Sequence, residues 1–231
     1  MDKKLVSKIP IMAAKLLIIL LIFTCSVYAQ TPDPDPERFS DPIQFFMRYD
    51  SKNSYKINST LFVGSSSIRM WPTAESFPDQ YVINRGFGGS HISDVNYFYE
   101  KIVKKYRPAR IIFYAGDNDI AAGKSPEQVL EDYQNFVEKV EQDLPHSKVY
   151  YLPIKPSINR WKMWTPMEIT NSMIRDYINK KEKLYYIDTA SPMLNDAGKP
   201  NFELFIEDGL HLNEKGYQLW NKILRSEIDG F

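Results

Sequence analysis

Apolar residues fall into two recurring patterns along this chain. Five short runs, at residues 60–63, 81–84, 110–114, 148–154 and 184–188, are rich in Ile, Val, Tyr and Phe and bounded by Gly, Pro or polar clusters. That is the pattern of buried strands. Longer stretches at 92–105, 126–144, 166–181 and 214–228 carry apolar residues at helical spacing, and 43–49 reads as a short entry helix. Ser125-Pro126-Glu127-Gln128 is a helix start signal, with Ser as N-cap, Pro in the first turn and Gln at the capping-box position. Asn213 is placed to cap the last helix in the same way. Strands alternating with helices predict right-handed crossovers and one α/β domain, a parallel five-stranded sheet with helices on both faces. Ligands of such sheets gather at the carboxyl ends of the strands.

The first 29 residues stand apart from this alternation. Lys3, Lys4, Lys8 and Lys15 lead into an apolar run at 16–23, and Val27-Tyr28-Ala29 offers small residues where a signal peptidase cuts. The run is shorter than the ~20 residues a membrane span needs. Residues 1–29 are therefore read as a cleaved export signal to the periplasm or beyond, with an uncleaved anchor as the alternative. Cys25, preceded by Phe23-Thr24, sits in a poor context for lipoprotein processing. Cleavage after Ala29 leaves no cysteine, hence no disulfide and no thiol chemistry. Residues 30–42, with Thr31-Pro32-Asp33-Pro34-Asp35-Pro36, are expected to form a stiff, exposed tether. Residues 43–231 remain for the folded domain.

Charge changes the picture only by exclusion. The chain has 29 Lys+Arg and 29 Asp+Glu; without residues 1–29 it keeps 25 and 28, a net charge of −3. This is not the basic balance of a nucleic-acid-binding protein. A 14% aromatic content suits a large core or a lined cleft.

The candidate chemistry lies in four blocks. Gly64-Ser65-Ser66-Ser67 ends the first strand, and a strand-to-helix turn exposes a serine hydroxyl on a fixed backbone. Asn84-Arg85-Gly86-Phe87-Gly88-Gly89 follows the second strand, where glycines bring backbone N–H groups close to a developing oxyanion. It is not a dinucleotide loop, because His91 stands where Gly or Ala is needed. Gly116-Asp117-Asn118-Asp119 ends the third strand, and a neutral amide there supplies N–H donors. Taken alone this block also reads as an Asx-turn, or as a metal site through Asp117 and Asp119. Asp208-Gly209-Leu210-His211, just before the last helix, spaces a carboxylate and an imidazole at i, i+3, on one side of a turn. The carboxylate can then hold the ring with one nitrogen free to take a serine proton. Of the other two histidines, His146 falls in a surface turn, while His91 opens a helix near the glycine block and is placed to line the cleft. Trp161 and Trp164, after the fourth strand, are placed either to grip a sugar or acyl group or to pack on the protein.

Together the four blocks, in this order, resemble the SGNH (GDSL-type) esterase and lipase family over residues 60–228. Two positions depart from the family pattern: Ser65 stands for the usual Asp and Ser67 for the usual Leu. Alignment on Gly64 places the nucleophile at Ser66. The resemblance implies a flavodoxin-like three-layer α/β/α sandwich and a serine esterase needing no metal or other cofactor. In it Ser66 attacks an ester, His211 serves as base and then acid, and Asp208 orients His211. The N–H groups of Ser66 and Gly89 and the Asn118 amide form the oxyanion hole. The expected substrates are short-chain acyl, chiefly acetyl, groups on glycans or small esters. Lipid or lysophospholipid esters, a catalytically idle glycan-binding module and a metal-assisted hydrolase using Asp117 and Asp119 are the alternatives.

Overall fold

The computed structural model describes residues 30–231, so the expected export signal at 1–29 lies outside the described residues. Five parallel strands, β1 (Thr60–Gly64), β2 (Val82–Gly86), β3 (Arg110–Tyr114), β4 (Lys148–Tyr151) and β5 (Leu184–Tyr186), form one sheet in the order β2-β1-β3-β4-β5. This is the flavodoxin-like order, with its switch point between β1 and β3.

The uninterrupted apolar runs follow from burial on both faces. In β1, β3 and β4, Leu61, Val63, Ile111, Phe113, Val149 and Tyr151 point into one core and Phe62, Ile112, Tyr114 and Tyr150 into the other. The first core is closed by α1 (Ser40–Asp50), α4 (Ile92–Tyr97), α5 (Tyr99–Ile102), α7 (Pro126–Asp143) and α8 (Trp164–Ile178). The second is closed by α2 (Ser66–Arg69), the segment running through α3 (Thr73–Ser76), and α9 (Glu214–Glu227), whose Trp220 and Leu224 are fully buried. Burying each of those side chains is worth about 1.5–3 kcal/mol, which ties α9, and the turn before it, to the sheet. A short α6 (Asp117–Ala121) follows β3.

Both capping expectations hold. The Ser125 hydroxyl accepts from Gln128 N–H at 3.3 Å while Gln128 Oε1 accepts from Ser125 N–H at 3.1 Å, and Asn213 Oδ1 accepts from Gly216 N–H at 3.1 Å.

Several boundaries differ from the sequence reading. β2 runs on to Gly86, in register with Gly64. β4 stops at Tyr151 rather than residue 154, because Pro153 has no N–H for a ladder and the Asn171 side chain takes both backbone groups of Ile154, at 2.8 and 2.9 Å. β5 ends early where the Asp188 carboxylate captures the N–H groups of Ala190 and Ser191. The helix expected over 92–105 is broken at Phe98, and adjacent Phe98 and Tyr99 are both buried.

The tether is exposed or half-buried along its length, as expected, but it is anchored at two points. Thr31 exchanges backbone hydrogen bonds with the Gln128 side chain at 3.1 and 3.3 Å, and its hydroxyl donates to Gly123 O at 2.8 Å. Asp33 accepts from Ser93 Oγ at 2.6 Å and forms an ion pair with the buried Lys124. Residues 36–39 form a 3-10 turn leading into α1. Among the described residues, no helix is long and apolar enough to cross a membrane.

Candidate active site

The nucleophile candidate is built by a close backbone approach. Gly64 has φ +137°, and a Cβ on it would fall 1.8 Å from Tyr114 O. Only glycine lets β1 pass β3 so closely and turn at once into α2. Ser65 N–H donates to Tyr114 O at 2.9 Å, which seats the turn. Ser66 is then the first residue of α2, 8% exposed, with its hydroxyl at the carboxyl edge of the sheet.

The partner arrives from the other end of the chain. His211 Nε2 lies 2.9 Å from Ser66 Oγ, and His211 Nδ1 lies 2.6 Å from Asp208 Oδ2. Ser65 is fully buried and its hydroxyl has no hydrogen-bond partner among the described residues. The position opened by the missing Asp is thus not the one that meets the histidine. Registration across this gap comes from α9: Tyr217 OH donates to Ser67 O at 2.9 Å, and Trp71 Nε1–H donates to Asn221 Oδ1 at 2.8 Å. These bonds tie the helix that follows His211 to the segment that carries Ser66.

Asp208 has two tasks. Its Oδ1 accepts from the N–H groups of Leu210 (2.8 Å) and His211 (2.9 Å), closing an Asx-type turn, and Oδ2 meets the ring. Burial works to raise the carboxyl, but the hydrogen bonds from the His211 ring and from the two backbone N–H groups outweigh it, and the pKa falls to about 2. An ionised carboxylate only accepts, so His211 Nδ1 carries the proton and the Nε2 lone pair faces the Ser66 hydroxyl.

The two other blocks converge on the same edge. Gly89 has φ +83° with open space where a Cβ would stand, and the N–H groups of Ser66 and Gly89 make no hydrogen bond among the described residues. Asn118 Nδ2–H donates to Ser90 O at 3.1 Å, so the third block pins the second. The arrangement can polarise a hydroxyl and offer N–H groups to an anionic oxygen, which is the chemistry of acyl transfer.

The acidic pair of the third block is taken up by cations. Asp117 Oδ2 lies 2.9 Å from Arg160 Nη1 and 3.6 Å from Lys155 Nζ. Burial pulls the Lys155 ammonium below its ordinary pKa against the attraction of Asp117. Asp119 Oδ1 accepts from Ile92 N–H at 3.1 Å and lies 3.5 Å from Lys124 Nζ. His91 is buried, with Nδ1 4.0 Å from Asp119 Oδ1, and makes no hydrogen bond to Ser66, Asp208 or His211. The sequence places it beside the glycine block, and there its ring faces Asp119. His146 is exposed in a turn. Trp161 and Trp164 stack on each other, 5.8 Å apart at 15°, and Lys199 Nζ lies 5.0 Å from the Trp161 ring centre. Both rings are half-buried. The contacts of Lys155 and Arg160 were not legible in sequence, because their partners lie about forty residues upstream.

Five surface cavities of about 270 to 600 Å3 are lined without Ser66, Asp208 or His211; the largest lies between Met70–Ser76 and Ile206–Arg225.

The fold is shared with solved proteins of low identity. A Streptococcus pneumonia protein provisionally described as a platelet activating factor superposes with a TM-score of 0.73 at 21% identity, over 82% of this chain and 92% of that one. A GDSL-like lipase from Bacteroides thetaiotaomicron gives 0.68 at 17%, over 80% and 95%. A mutant acetyl-xylooligosaccharide esterase from Geobacillus Stearmophilus gives 0.62 at 14%, over 78% and 97%. No curated protein matches the chain. The sequence model of the GDSL-like lipase/acylhydrolase family matches residues 67–219, starting just after Ser66 and taking in Gly89, Asn118, Asp208 and His211. With well over half its length matched and the family's fold in place, the chain belongs to the GDSL-like lipase/acylhydrolase family and is a carboxylic ester hydrolase.

Proposed function

We propose that the protein is an exported serine esterase that removes short acyl groups, chiefly acetyl, from glycans or small esters. The observation that carries this reading is the line of contacts from Asp208 Oδ2 through the His211 ring to Ser66 Oγ, at 2.6 and 2.9 Å. In this reading Ser66 Oγ attacks the ester carbonyl as its proton passes to His211 Nε2. Asp208 stabilises the imidazolium so formed, and the ring returns the proton to the departing alcohol. Water then attacks the acyl-enzyme with His211 again as base. The oxyanion of each tetrahedral intermediate is held by the N–H groups of Ser66 and Gly89 and by Asn118.

Acetylated glycans are favoured by two structural neighbours, an acetyl-xylooligosaccharide esterase and a carbohydrate esterase of family 3. Export rests on the basic and apolar character of residues 1–29.

The test is hydrolysis of p-nitrophenyl esters of increasing chain length by residues 30–231 and by Ser66→Ala, each with and without EDTA. Turnover is expected to survive EDTA, fade beyond short chains and vanish in the variant. Equal rates in both proteins would sink the serine mechanism. A preference for long chains would favour lipid esters, loss in EDTA a metal-assisted hydrolase, and silence on every ester a glycan-binding module.

A further inference from the structure

The loop that follows β4 reaches both halves of the site. Lys155, 1% exposed, donates from Nζ to Tyr114 OH at 3.1 Å and neighbours Asp117. Five residues on, Arg160 places Nη1 2.9 Å from Asp117 Oδ2, and its Nη2–H donates to Asn118 Oδ1 at 2.9 Å. Between them, Asn159 N–H donates to Gly209 O at 3.0 Å and its side-chain amide donates to Asp208 O at 3.3 Å. One loop therefore touches the turn that orients His211 and the amide that faces the oxyanion.

We propose that Arg160 is a positioning residue for the oxyanion site: by holding Asn118 Oδ1 it keeps one Nδ2 hydrogen aimed at the carbonyl oxygen of a bound ester. The inference rests on the reading of Asn118 as an oxyanion donor. A primary amide has two orientations that differ by a half-turn and exchange donors for an acceptor. In the one observed, Oδ1 receives the guanidinium and one Nδ2 hydrogen goes to Ser90 O, which leaves the second hydrogen free. Turned over, Oδ1 would face the Ser90 carbonyl and the NH2 group would face Arg160, an acceptor against an acceptor and donors against donors. The guanidinium is in turn held by Asp117, whose charge also faces Lys155. A planar fork suits this double duty better than an ammonium. The Arg160 side chain is 16% exposed; Nη2 is hydrogen-bonded to Asn118, while Nη1 is ion-paired with Asp117 at 2.9 Å without a hydrogen bond of its own, so the observed contact with the site runs through Asn118.

The experiment is a double-mutant cycle on p-nitrophenyl acetate with Arg160→Met, Asn118→Ala and the pair, together with Arg160→Lys and Arg160→Gln. Rates are taken per active site from the burst of p-nitrophenol, so that a poorly folding variant lowers the burst and not the rate. Arg160→Met is expected to lower kcat roughly 10–100-fold, as loss of a group supporting a site residue does, with KM little changed. Gln, which keeps a neutral donor for Asn118 Oδ1, should fall between, and Lys, which keeps the charge without the fork, should recover only part. In the Asn118→Ala background, removal of Arg160 should cost little more. An undiminished kcat in Arg160→Met, an equal loss with or without Asn118, or a raised KM at constant kcat would each overturn the proposal. These results would leave the serine-esterase reading standing, since that is tested separately by Ser66→Ala and by EDTA.

Discussion

Replacing Asp208 by Asn separates the two tasks of that carboxylate. Oδ1 is held by the N–H groups of Leu210 and His211 at 2.8 and 2.9 Å. In the Asp208→Asn variant the amide oxygen would keep that place, and the NH2 group would have to face His211 Nδ1. The ring is then driven to accept at Nδ1 and carry its proton on Nε2, pointing at Ser66 Oγ in the unproductive tautomer. Breaking this neutral amide–imidazole hydrogen bond to restore the productive tautomer costs about 0.5–1.5 kcal/mol. The lost carboxylate also stabilised the imidazolium: a unit pair at about 4 Å is worth from about 1 kcal/mol in water to about 4 near a protein surface. Asp208 keeps 42% of its side chain exposed, so about 1–3 kcal/mol is the fitting range. The sum, about 1.5–4.5 kcal/mol, is roughly a 10–10³-fold loss in kcat. Hydrolysis of p-nitrophenyl acetate, paired with thermal unfolding, reads both quantities. Asp208→Asn should fall in that range and unfold near the wild-type temperature, while Asp208→Ala should lose activity and stability together. A kcat within a few-fold of wild type, or a large stability loss in the Asn variant, would refute the division of labour.

Two further predictions concern the frame around the site. Gly64→Ala puts a Cβ onto Tyr114 O at a φ of +137°; strain and the displaced strand contact should cost about 3–5 kcal/mol, a fall in Tm of about 6–20 °C, and an unchanged Tm would refute the close approach. His91 has its pKa lowered from 6.5 to about 4, first by burial and then by Lys124 and Arg38. A lowered folded pKa means stability that is present above 6.5 and lost as pH falls toward 4, on the order of 3 kcal/mol. Asp119, raised to about 7 by burial against the pull of Lys124, slopes the other way over the same range. The test is therefore the difference between wild type and His91→Gln in urea unfolding from pH 4 to 7, and identical slopes would refute the buried neutral imidazole.

The local code of this chain was readable residue by residue. Apolar runs announced five strands because a parallel sheet covered on both faces needs them, and Ser125 and Asn213 cap their helices because an N-cap bond spans only three residues. Asp208 and His211 meet for the same reason, being i, i+3 in one turn. The alternation of strands and helices implied the α/β class, and the family resemblance, carried by four blocks in order, added the flavodoxin-like sandwich. What needed the folded chain was every contact whose partners lie far apart in sequence. The crossing of β1 between β2 and β3, the docking of Thr31 on residues 92 and 97 positions away, and the 2.9 Å contact of Ser66 with a histidine 145 residues downstream have no local signature. The same holds for the contacts of Lys155 and Arg160, which arise only when β3 and β4 pair and bring Asp117 and Asn118 beside them. Patterning is a property of neighbours on one chain; a buried ion pair or an aimed hydroxyl is a property of surfaces that only the packed sheet brings together.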